Sequence, residues 1–75
     1  MRQYEPEPII GGTPISVRTV KQRGALIGKR IAWRSMGWPR VYYGTVEEVQ
    51  GRNIKVDGDW KWAPDMSDVH VMEAA

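Results

Sequence analysis

Few side chains in this sequence are equipped for covalent chemistry. The single His, His70, stands two residues from Asp68, so on a strand the two share a face. Ser16, Ser35 and Ser67 are the hydroxyls that could complete a Ser–His–Asp set. That set needs nucleophile, base and orienting acid within hydrogen-bond reach. With one base in the whole chain, Asp68 and His70 read as a surface His beside an acid. Asp57 and Asp59 flank Gly58, but turn chemistry alone places Asp there. The run Asp57-Gly58-Asp59-Trp60 also departs from calcium-loop spacing at the third ligand position. The absence of Cys excludes disulfides and thiolate zinc sites, and one His cannot build a histidine cage. Gly11-Gly12 and Gly24 with Gly28 lack the ending of a phosphate loop. The expectation is a binding protein without metal or cofactor. An enzyme assembled only as an oligomer is the remote catalytic alternative.

Binding chemistry is better supplied. Arg18, Lys21, Arg23, Lys29, Arg30, Arg34 and Arg40 follow one another with no acid between them. From Val41 onward Arg52, Lys55 and Lys61 face Glu47, Glu48, Asp57, Asp59, Asp65, Asp68 and Glu73. The net charge of +2 thus hides a basic middle and an acidic end. Such asymmetry points toward a polyanionic partner. The competing reading is a solvated surface whose two halves neutralise each other in space. Four Trp and three Tyr with no Phe form a palette favoured at interfaces, because each ring keeps a polar handle.

Three uses of that palette compete. Rings can stack on bases while Arg and Lys hold phosphates. Trp33, Tyr42 and Trp60 with Asp59 could instead cage a methylated lysine. Or the rings fill a core and a self-association patch. The first use selects Arg18, Lys21, Arg23, Arg30, Arg34, Trp38, Arg40 and Tyr42 as a nucleic-acid-binding set, for DNA or RNA. The alternative is a protein–protein interaction or homo-oligomerisation module with an exposed Trp/Tyr patch. Trp62 or Trp60 is expected inside the core with Trp33 beside it, whereas Trp38 in its Gly-Trp-Pro loop is expected outside.

The elements that must position these residues are short. Glu5-Pro6-Glu7-Pro8 forces extended backbone, and Gly11-Gly12-Thr13-Pro14 is a flexible break. Residues 1–25 read as a flexible N-terminal arm, basic from 18, with at most one short element. Strands are expected over Lys29–Arg34, Val41–Val49, Asn53–Val56, Asp59–Trp62 and Val69–Met72. Val46 and Val49 are three apart, so a β-bulge near Glu47-Glu48 is needed to return both to the core. Asp57-Gly58 between apolar residues signals a two-residue hairpin, and Ala63–Asp68 reads as a connection with one 3₁₀ turn.

Gly28 before the first strand, the run Tyr43-Gly44-Thr45-Val46 followed by Val49, the Gly51 turn, Ile54 and Val56, the Asp57-Gly58 hairpin with a Trp after it, and Ser67-Asp68-Val69 leading into the last strand resemble a Tudor-like or KOW-like SH3-type barrel. The resemblance covers about two thirds of the chain and implies a fold more than a function. The expected architecture is all-β: a five-stranded SH3-like barrel over residues 26–73, a flexible basic arm before it and a tail at 74–75. At 75 residues this is one domain with a marginal core, for which self-association is a common support. No apolar run approaches a membrane span and the N-terminus lacks a signal-peptide layout, so a soluble, cytoplasmic protein with no membrane partner is expected.

Overall fold

Alternating apolar residues punctuated by tight turns fold back on themselves as antiparallel strands. A computed structural model describes residues 7–35 and 39–72. The order is β1 (Thr13–Pro14), α1 (Val20–Gly24), β2 (Arg30–Ser35), β3 (Val41–Gln50), β4 (Asn53–Val56), β5 (Asp59–Trp62), a 3₁₀ turn (Ala63–Asp65) and β6 (Met66–Met72). All pairings are antiparallel in one six-stranded sheet ordered β1-β6-β2-β3-β4-β5. Among the described residues no ladder joins β5 to β1, so the sheet is open. The all-β class agrees with the sequence, and two ladder pairs at Thr13 and Pro14 make a sixth strand.

Two bulges curl this sheet around one core. The expected one is present: pairing passes from Val46↔Val56 to Glu48↔Lys55, leaving Glu47 as the extra residue. Val46 is buried and Val49 packs against the core. The second was not expected. In β6 the register shifts between Ala32↔His70 and Arg34↔Ser67, so Asp68 and Val69 together oppose Trp33. Asp68 takes φ 52°, a left-handed conformation that Asp tolerates better than most residues. The extra residue turns both Met66 and Val69 inward and swings the Asp68 side chain outward.

The core gathers Leu26, Ile31, Trp33, Val46, Ile54, Val56, Ala63, Met66 and Val69, with Ile15 and Val17 against it. Trp33 is inside as expected, but Trp60 and Trp62 are 45% and 55% exposed. Register explains the difference. The Asp57-Gly58 hairpin, at φ 49° and 87°, pairs Val56 with Asp59 and Ile54 with Lys61. The inward positions of β5 are therefore Asp59 and Lys61, and both Trp residues fall on the outer face opposite Lys55 and Asn53.

The described part of the expected arm is held in place. Glu7 N–H donates to the Pro39 carbonyl at 2.9 Å, Val41 N–H donates to Glu7 Oε1 at 3.2 Å, and Ile15 N–H donates to the Val69 carbonyl at 2.9 Å. Thr19 closes a capping box on α1: its hydroxyl accepts from Gln22 N–H at 3.1 Å while Gln22 Oε1 accepts from Thr19 N–H at 3.0 Å.

Gly44, in β3, leaves no room for a side chain: a Cβ there would collide with Val56 Cγ1 and lie 2.9 Å from Asp57 Oδ2. Gly44→Ala is expected to destabilise the chain by about 1–3 kcal/mol through overpacking, read as a lower urea midpoint with unchanged slope.

Candidate functional site

Four of the eight residues expected to contact nucleic acid, Arg23, Arg34, Trp38 and Tyr42, have other placements or none described. Arg23 sits on α1 but is only 6% exposed. Its Nε donates to the Gly51 carbonyl at 2.6 Å and its Nη1 to the Val17 carbonyl at 2.8 Å. The guanidinium thus ties the β3–β4 turn to the segment after β1, and cannot reach out to a surface phosphate. Arg34 does lie on the outer parity of β2, but Asp68 takes it: Nη1 to Oδ2 is 2.6 Å, and Nη2 also donates to the Glu7 carbonyl. The bulge at Asp68 makes that ion pair possible. Trp38 lies outside the described residues.

Arg18, Lys21, Arg30 and Arg40 are exposed, with Lys29 beside them. Among the described residues no carboxylate lies within ion-pair distance of any of them. They do not all converge. Arg30 pairs with Thr45 at one end of the β2–β3 ladder, while Arg40 precedes Val41 at the other. At about 3.3 Å per residue the separation is on the order of 15 Å.

Tyr42 is brought into a site, though a different one. It pairs with Trp33 across the ladder and stacks on it, with centroids 5.9 Å apart and planes at 28°. Such pairs contribute about 0.5–1.5 kcal/mol beyond burial. The stacked rings open into a cavity of about 240 Å³. Trp62, Lys61, Ser35, Asp65 and Met66 complete its lining. The Ser35 hydroxyl donates to Asp65 Oδ2 at 3.3 Å, joining β2 to the 3₁₀ turn. On the outer face Lys55 Nζ stands 6.0 Å from the Trp60 centroid, at the outer limit of a cation–π contact.

No family model, curated protein or solved structure matches the chain. The site therefore has to be read from its own geometry.

A cavity of this size is below the roughly 300–1,000 Å³ typical of cofactor and small-molecule pockets. It suits one or two side chains, with aromatic walls and one charge of each sign at the rim. Asp68 and His70 do not pair through their side chains: His70 Nδ1 lies 2.8 Å from the Asp68 backbone oxygen, and the Asp68 carboxylate holds Arg34. Among the described residues no group of three or more His, Asp or Glu is placed to hold a metal ion, and no helix is long and apolar enough to cross a membrane. The residues that sequence reasoning missed at this site are Trp62, Lys61 and Asp65. The two-residue hairpin at Asp57-Gly58 was a signal for Lys61, which it puts on the inward parity of β5, but not for Trp62, which it puts on the outer face, nor for Asp65 beyond the strand.

The two kinds of Arg separate in a stability measurement. Arg23→Ala leaves two carbonyls without their donor and is expected to lower unfolding free energy by about 1–3 kcal/mol. Arg30→Ala and Arg40→Ala are expected to stay within about 0.5 kcal/mol of the parent in the same urea titration.

Proposed function

We propose that this chain is a small SH3-type barrel over residues 26–73 that acts as a protein-interaction module. The strand order supports that fold reading. The meander β2-β3-β4-β5 is followed by a 3₁₀ turn, and β6 returns to pair with β2.

The observation that carries the function is the exposed Trp62 placed across a 240 Å³ hollow from the stacked Trp33 and Tyr42. Aromatic-lined grooves of this kind take extended, proline-bearing segments, whose backbone is already ordered before binding. Lys61 and Asp65 at the rim would then select the polar residues flanking the proline.

The nucleic-acid reading draws support from a different observation, the exposed cations Arg18, Lys21, Lys29 and Arg30, which have no acid at ion-pair distance among the described residues. The two readings separate in a single set of titrations. A proline-rich peptide is expected to shift the Trp33 and Trp62 indole N–H resonances, and Trp62→Ala to weaken binding by about tenfold or more. An oligonucleotide that moves the Arg30 region with steep salt dependence, while the peptide moves nothing, would overturn the interaction reading in favour of polyanion binding. A sedimenting mass above one chain, lost in Trp62→Ala, would identify the occupant of the groove as a second copy.

A further inference from the structure

The seam between the β1 side of the sheet and the β4–β5 side is a second cleft, of about 900 Å³. Ile15, Val17 and Met66 give it apolar walls, and Arg18, Arg23 and Arg52 all line it. Arg18 and Arg52 are exposed, whereas Arg23 lies at depth. A guanidinium has five N–H donors. Arg23 engages one on Nε and one on Nη1, both with backbone carbonyls, and its Nη2 has no acceptor among the described residues. No carboxylate among those residues lies within ion-pair distance of any of the three arginines. The nearest candidate by position, Asp68, also lines the cleft but is bound to Arg34.

A charged side chain more than nine-tenths buried normally has a counter-charge. Two neutral carbonyls orient Arg23 without cancelling its charge. Three guanidinium groups lining one cleft make it complementary to an anion. Because Arg23 lies deeper than Arg18 and Arg52, a group carried on the end of a flexible arm is suited to reach it. A carboxylate on a glutamate or aspartate side chain meets that need. A phosphodiester suits it less well, because its ester oxygens tie it to a bulky sugar on either side. We propose that this cleft binds an acidic peptide segment of a partner protein. Its apolar side chains lie against Ile15, Val17 and Met66, and one carboxylate reaches Arg23. Arg18 and Arg52 attract the segment from the rim. The proposal does not rest on the aromatic groove, since Met66 is the one residue that lines both.

The test titrates the full chain with a blocked octapeptide alternating valine and glutamate, followed by nuclear magnetic resonance up to millimolar peptide. The Arg23 Nε–H and Gly51 amide resonances are expected to move together and to saturate. The glutamine version of the peptide and the Arg18→Gln/Arg52→Gln variant are each expected to bind about tenfold more weakly, because a charge-assisted contact is lost or its steering removed. Both substitutions lie on exposed side chains, so the fold is kept while the rim charge is removed. Trp62→Ala is expected to leave the titration unchanged. A stationary Arg23 Nε–H signal, or equal binding of the glutamine peptide, would refute the proposal. So would loss of binding in Trp62→Ala, or tighter binding at Arg23 by an eight-nucleotide single strand.

Discussion

A sheet of this size that does not close through a ladder needs something else to hold its two ends together, and here that is a guanidinium. Arg23 reaches from α1 to the Gly51 carbonyl on one side of the seam and the Val17 carbonyl on the other. Ala63 N–H, which donates to the Arg52 carbonyl at 2.8 Å, continues the β4–β5 pairing one step past Asn53↔Trp62 and so braces the turn that Arg23 holds. Two part-buried backbone carbonyls are thereby given a charged donor each. The capping box at Thr19 and Gln22 is what presents Arg23 at the right height. The helix is too short to persist on propensity alone, so cap, guanidinium and seam are one cooperative unit.

Much of the fold was legible. Turn residues marked the hairpins, and the three-residue spacing of Val46 and Val49 demanded a bulge that is present. The same spacing recurs at Met66 and Val69, and the same argument would have found the β6 bulge and the longer last strand. The Thr19-Val20-Lys21-Gln22 run is likewise a helix-start pattern in plain view. The misplaced Trp60 and Trp62 show a different failure. Hydrophobicity argued for burial, but the hairpin fixes parity, and parity outweighs residue preference on a short strand.

The site was less legible because charge in sequence does not report charge in space. Seven cations without an intervening acid suggested one basic face. In the fold, one of them is inside, another is joined to an acid 34 residues away, and Arg30 and Arg40 occupy opposite ends of a ladder. The Arg34–Asp68 contact depends on the β6 bulge, and the local spacing that marks the bulge does not say which cation its carboxylate meets. Conversely, Trp62 is far along the chain from the ladder partners Trp33 and Tyr42, and the curl of the sheet brings it to their hollow.

The central position of β2 has a consequence for how the molecule comes into being. Its first neighbour, β3, is joined to it by a short loop, but its second, β6, begins more than thirty residues later at Met66. While the polypeptide is being synthesised from its N-terminal end, Ile31 and Trp33 must wait on a half-paired strand until Met66–Met72 has emerged. Closing so long a stretch of chain carries an entropic penalty before any contact rewards it. Assembly of this interior is thus a late, nearly all-or-none event, and the vulnerable interval is the one in which β2 has gained β3 but not yet β6.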